Sequence, residues 1–169
     1  MKGRCKDFRD PVVMNPDLAV LRLRSKRDKS VIGTVMDWSC HPEVIGRENL
    51  LLSTDFPGAA CAAVEKESGA PCVYFSGTIG GMQSPDNDAL QAGGKDEFAA
   101  SQELGDILAR EVSVSVAKAE RSEPARIDFR AEPVRLTIEN SKYLTFLPAL
   151  AFGHTLYRPS GETLSGLGL

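Results

Sequence analysis

The chain has 169 residues, 42% of them hydrophobic and 25% charged, which suits one globular domain with a sizeable core and excludes a low-complexity or fibrous chain. Its formal charge of -3 offers no broad cationic face, and Arg22, Arg24, Lys26, Arg27 and Lys29 fall where a strand runs into a turn, so nucleic acid is not an expected partner. No run approaches the ~20 apolar residues of a membrane span, and MKGRCKDFRD lacks the apolar stretch of a signal peptide, so the chain as written reads as soluble and carries no address for a compartment.

Leu18 to Arg24 alternates apolar and basic residues, the period-two pattern of a half-buried strand. Val31 to Trp38 reads as its antiparallel partner across the polar turn at Arg27 to Ser30. Pro42 cannot donate to a ladder, so this second strand should stop near Ser39-Cys40-His41-Pro42 and leave His41 at its end. Ser53 to Gly58 is a helix entrance, with Asp55 or a neighbouring hydroxyl available to the free amides and Pro57 at an early position. The helix should run from Ala59 to about Ser68, its alanines allowing close approach to a sheet, and end at Gly69 and Pro71. Cys72 to Phe75 is continuously apolar, as expected of a strand covered on both faces.

A glycine-rich, polar loop follows from Ser76 to Gly94, too long for a plain connector. Leu104, Leu108, Val112 and Val116 then recur at helical spacing, with Phe98 and Ile107 extending the stripe, so a helix over about 96–119 should pack one face on the sheet. Ile127 to Phe129 and Val134 to Ile138 read as further strands. This order makes an α/β fold, a mixed β-sheet layered with helices, and the unpatterned end at Ser165 to Leu169 marks an incomplete domain.

Cys5, Cys40, Cys61 and Cys72 lack the paired spacing of a zinc or redox motif; buried thiols are the expected reading of Cys40, Cys61 and Cys72, with a disulfide as the alternative. Imidazole chemistry has only His41 and His154 to draw on, and His154, in a poorly patterned segment, reads as exposed. His41 at a strand end occupies the rim where α/β proteins place ligands, although a lone histidine there is more often structural. Gly77 to Asp86 could converge backbone amides on an anion, but neither the dinucleotide fingerprint nor the P-loop is in register, and Ser84 is not in a Gly-x-Ser-x-Gly elbow. A glycine-rich turn without chemistry remains the plain alternative.

Three segments taken together resemble a family: Asp37-Trp38-Ser39-Cys40-His41-Pro42, Asn49 to Gly58, and Val73 to Asp86. Their order and spacing are similar to those of the neutral/alkaline non-lysosomal ceramidases and their bacterial relatives, over roughly residues 10–140. The resemblance implies a central portion of a catalytic domain, residues 1–169 being truncated at both ends, that hydrolyses the N-acyl amide of ceramide to sphingosine and a fatty acid with one zinc ion. It implies that His41 is a zinc ligand and Ser84 an active-site serine, with amides from Gly80 and Gly81 to Ser84 as oxyanion donors. The other zinc ligands belong to an earlier histidine segment and to later glutamate and tyrosine segments, outside this chain; Glu162 only superficially resembles the glutamate motif. Met82 stands where an aspartate is common and Asp86 where asparagine is frequent, which puts the substrate in doubt. The expected partner is a ceramide-like lipid amide, with the whole protein secreted or in contact with a membrane surface as family members often are.

One histidine cannot hold the metal alone, so zinc binding and turnover by this chain should both be weak. The rival reading is a non-catalytic α/β module that binds a small anionic ligand at loop 76–94, and a third is a structural or partner-binding domain.

Overall fold

Alternation builds the centre of the molecule. In the computed structural model, which describes residues 3–79, 83–120, 122 and 128–133 and the backbone of 156–157 and 163–164, strands β2 (Leu18–Arg24) and β3 (Val31–Trp38) form the expected antiparallel hairpin. β4 (Cys72–Ser76) joins β3 in parallel, giving a mixed sheet in the order β2-β3-β4. A parallel neighbour needs a crossover, and helix α1 (Asp55–Ser68) supplies it. Two short strands, β1 (Cys5–Asp7) and β5 (Gln83–Pro85), pair antiparallel in a separate ribbon.

Helix α1 begins four residues earlier than the alanine run suggests, because Asp55 itself enters the helix with φ 51°. Asp55 is held in that left-handed region by three bonds to its nearly buried carboxylate: Phe56 N–H at 2.5 Å, Ile45 N–H at 2.9 Å and Ser101 Oγ at 3.1 Å. The far end closes as expected, with Gly69 at φ 68° donating to the Glu65 carbonyl at 2.8 Å. The 76–94 segment carries β5 and a single helical turn, α2 (Asn87–Leu90).

Helix α3 (Glu97–Lys118) is capped by Asp96, whose carboxylate accepts from Ala99 N–H at 2.9 Å. Its buried stripe is Ala100, Ser101, Leu104, Gly105, Leu108, Ala109 and Val112; Phe98, expected in the stripe, is 45% exposed at its margin in the first turn. The expected packing of α3 on the sheet is met through β2, but its chief neighbour, which the sequence did not indicate, is α1. Gly105 is the reason. A Cβ there would lie 2.5 Å from Ala59 Cβ and 2.9 Å from the Phe56 carbonyl, so the α1 alanines serve helix–helix approach. The core joins Met36 and Trp38 of β3 to Phe56, Ala60 and Val64 of α1 and Leu104, Leu108 and Val112 of α3. Trp38 meets the Phe56 ring edge-on at 5.6 Å.

Among the described residues β4 is covered on one face only, not on both as its apolar run predicts. Tyr74 turns toward the core, whereas Val73 and Phe75, with Leu21 and Leu23 across the register, form an exposed apolar face.

The elements above lie in one compact unit, Met1–Arg121; a second unit spans Ser122–Leu169, where β6 (Leu156–Tyr157) pairs antiparallel with β7 (Thr163–Leu164). Asp128 and Phe129 belong to no strand, contrary to expectation, and Phe129 is 92% exposed. The segment Val134 to Ile138, His154 and Glu162 lie outside the described residues. Among the described residues no helix is long and apolar enough to cross a membrane.

Candidate functional site

β3 ends at Trp38 because the chain turns out of the ladder at Ser39, and the next residues become partners of the 83–91 segment. His41 N–H donates to the Gln83 carbonyl at 3.0 Å. Two residues on, the Glu43 carboxylate accepts a short hydrogen bond from Ser84 Oγ, and the Glu43 carbonyl accepts from Asn87 Nδ2 at 3.1 Å. Gln91 Nε2 continues the series to the Val44 carbonyl at 3.3 Å. The 41–44 and 83–91 segments therefore run side by side, tied at four successive points.

Alternation along β5 divides the roles of neighbours. Gln83 is buried, Ser84 is half-buried and points to the opposite side, toward Glu43. The Gln83 amide is the clamp of this region: its Oε1 accepts from Asn15 N–H at 2.9 Å, and its Nε2 donates to the Asn15 carbonyl at 3.0 Å and to the Ser39 carbonyl. Ser39 Oγ in turn accepts from Thr78 N–H at 2.9 Å and from Asn15 Nδ2 at 3.3 Å. Gly77 fits here without a side chain, since a Cβ would approach Asp37 Oδ1 to 2.5 Å and Ser39 Oγ to 2.6 Å.

The Cys5–Cys40 disulfide fastens β1 beside this junction, so the buried-thiol reading fails for Cys40 and the alternative holds. No cysteine spacing signals the pair, because Cys5 reaches Cys40 only through the pairing of β1 with β5. Cys61 and Cys72 are free, half-buried thiols packed against the core; burial raises both, Cys72 to about 12.

Across β1, Lys6 stands opposite Ser84. Its charge is engaged elsewhere: Nζ lies 2.8 Å from Asp88 and 3.1 Å from Asp86, contacts that raise the lysine and lower the Asp88 carboxyl. Arg9 is similarly occupied by Asp7 and the Val13 carbonyl, and its hydrogen bonds hold the Asp7 carboxyl well below the usual range. A cavity of about 560 Å³ opens on the Gln83 side, lined by Arg9, Met14, Asn15, Gly77, Thr78 and Gln83 among others; neither Ser84 nor His41 lines it.

Of the residues singled out in the sequence, His41 and Ser84 thus sit on adjoining segments, while Gly80 and Gly81 lie outside the described residues. Glu43 was missed, although its place two residues after His41 in a polar segment was open to notice. Among the described residues no three histidine, cysteine, aspartate or glutamate side chains converge in a way that could hold a metal ion.

Neither a protein-family model nor a curated protein matches the chain. Solved structures that resemble it include two ceramidases. One, of neutral ceramidase from Pseudomonas aeruginosa, is 20% identical with a TM-score of 0.55 over 62% of this chain. The other, a ceramidase complexed with C2, is 15% identical with a TM-score of 0.60 over 70% of this chain. The likeness is one of fold. This chain spans only 17% and 21% of the length of those proteins.

Proposed function

We propose that the chain is part of a zinc-dependent amide hydrolase of the neutral ceramidase type, which converts an N-acylsphingosine to sphingosine and a fatty acid, and that the catalytic domain extends beyond residues 1–169 at both ends. Ser84 is the active-site serine, His41 one zinc ligand, and amides of Gly80 and Gly81 contribute to an oxyanion site. The observation that carries this reading is the meeting of the two motif segments, His41 N–H bonding the carbonyl of the residue before Ser84. The ceramidase-like fold of distant solved structures supports it further.

Zinc polarises an amide carbonyl and lowers the pKa of bound water. The described residues do not fit a complete zinc site, since His41 has no second and third ligand beside it, and a catalytic zinc needs about three protein ligands. The metal's remaining ligands are assigned to polypeptide outside the described residues. What this chain supplies is a hydroxyl fixed by a carboxylate at the edge of a two-stranded ribbon. Such a hydroxyl can hydrogen-bond a tetrahedral intermediate or attack a carbonyl carbon.

Hydrolysis of a fluorescent ceramide tests the reading. Turnover by this chain is expected to be slow, to fall by about 10²-fold in Ser84→Ala, and to be accompanied by substoichiometric zinc that His41→Ala removes. Unchanged hydrolysis in Ser84→Ala overturns the assignment.

A second reading, a small-anion module, is favoured by the cavity beside Gly77 and Thr78 with Arg9 in its wall. It is the weaker one because Asp7 neutralises that guanidinium. Calorimetric titration with inorganic phosphate, with and without chelator, separates the two: heat of binding indifferent to chelator favours the module.

A further inference from the structure

We propose that Cys61 and Cys72 are a disulfide-forming pair: a low-molecular-weight disulfide oxidises them, and the bond they make is a second covalent tie, joining helix α1 to strand β4. The inference goes beyond the amide-hydrolase reading and is independent of it, since it uses none of the residues assigned there.

Chain reversal brings the two thiols together. α1 ends at Gly69 in the left-handed region, the chain turns through Ala70 and Pro71, and β4 returns to pack against the helix it has just left. One hydrogen bond fixes the placement: Cys72 N–H donates to Glu65 Oε1 at 2.9 Å. Glu65 is one turn on from Cys61, and helical side chains lean toward the N-terminus, so that carboxylate lies over the turn that carries Cys61. Cys72 is thereby drawn to the same patch, where the two thiols hydrogen-bond each other and both pack on the core. Cross-strand register adds a second constraint. Arg22, Thr34 and Cys72 form one row across the sheet, and Thr34 is fully buried, so this row faces the helices.

The surroundings set the rate. Burial raises both thiols and the Glu65 charge raises them further, so thiolate is scarce near neutrality. Arg22 works the other way: its Nε donates to Thr34 Oγ1 at 3.1 Å, its Nη2 is buried with no hydrogen-bond partner among the described residues, and its charge favours a thiolate at Cys72. Neither sulfur is sealed off, because both side chains are only half-buried. The Cys5–Cys40 bond requires conditions in which protein thiols are oxidised, and such conditions act on Cys61 and Cys72 as well.

The step balances. One cysteine gives its proton to solvent, and its thiolate attacks the small disulfide to form a mixed disulfide and release one small thiolate. The second cysteine, deprotonated in turn, attacks the protein sulfur of that mixed disulfide, closes the Cys61–Cys72 bond and expels the other small thiolate. The two small thiolates take up the protons. Two protein thiols are oxidised as one small disulfide is reduced to two thiols.

Oxidised glutathione is the probe, added to the full chain with Cys5–Cys40 intact in mildly alkaline buffer. The intact mass should fall by two hydrogens, and a non-reducing digest should contain one new linkage, Cys61 to Cys72. Cys61→Ser should instead stop at a glutathione adduct on Cys72, with no second thiol to resolve it, and Cys72→Ser should stop likewise at Cys61. The urea midpoint of the wild-type chain should be higher after oxidation than before, because the new bond restricts the unfolded chain. Stable glutathione adducts on the wild-type chain, linkage of either residue to Cys5 or Cys40, or two thiols still free once a reference dithiol is fully oxidised each overturn the proposal. So does a midpoint that the new bond leaves unchanged. The wild-type digest decides the matter even where a serine variant fails to fold.

Discussion

The layered core and the rim around Ser84 are held by different physics. In the core, α1, α3 and the inner face of β2-β3-β4 bury Met36, Trp38, Phe56, Leu104, Leu108 and Val112, and stability scales with apolar area that no single contact dominates. At the rim, β1 and β5 are three residues each and bury no large apolar side chain; a disulfide, the Gln83 clamp and the Ser84–Glu43 contact fix them one bond at a time. A region of the first kind tolerates change gradually, and one of the second kind should loosen locally while the rest of the molecule stays folded.

The sharpest way to break this contrast is at Leu108, fully buried between the helices. Leu108→Ala should cost about 2–5 kcal/mol, read as a shift of the urea midpoint, and should lower hydrogen-exchange protection throughout α1, α3 and β3 together. Next comes the Cys5–Cys40 bond, which closes a loop with a sequence separation of 35. A Cys5→Ser, Cys40→Ser variant should lose about 2–4 kcal/mol, with exchange rising first in β1 and β5; equal loosening of α3 would show that rim and core are one cooperative piece.

Gln83→Ala removes a buried amide with partners on two other segments, at about 1–3 kcal/mol, and should free 15–16, 39–41 and 83–85 in exchange experiments without shifting the Trp38 environment in near-ultraviolet circular dichroism. The smallest effect concerns pH. Burial holds the Cys72 thiol near 12 in the fold, whereas an unfolded thiol ionises near ~8.5. The folded chain then binds more protons than the unfolded one above that lower value, so stability should decline as pH rises from about 8.5. Chemical denaturation across alkaline pH should show a shallower decline in Cys72→Ser.

The same division explains what could be read from the sequence. Leu18 to Arg24, Val31 to Trp38 and the Leu104-Leu108-Val112 spacing repeat a period, and periodicity survives without knowledge of neighbours. The packing of α3 on α1 was not legible beside its contact with the sheet, because the stripe tells which side is buried but not against what; Gly105, one residue from Leu104, is the available sign of helix–helix approach. His41 and Ser84 stood out through resemblance, whereas the partnership of Cys5 with Cys40, that of Glu43 with Ser84 and the β1–β5 pairing had no sequence signal. Strands of three residues carry no period, and their meeting depends on chain return over most of the unit. Val73 and Phe75 mislead in the opposite sense: an apolar run predicts cover, and the described part of the chain provides it on one side only.

Lys6 faces Ser84 across β1 and β5, yet nearly the whole of the intervening polypeptide separates them in synthesis order. On a ribosome, β1 must wait for β5 while the hairpin, the crossover helix and β4 emerge, and only then can the two pair. The contact between the serine and its carboxylate neighbour is consequently made late, after the scaffold beneath it has taken shape, so a nascent chain halted before residue 83 would hold β2, β3 and β4 and carry His41 and Glu43 without their partners from β5.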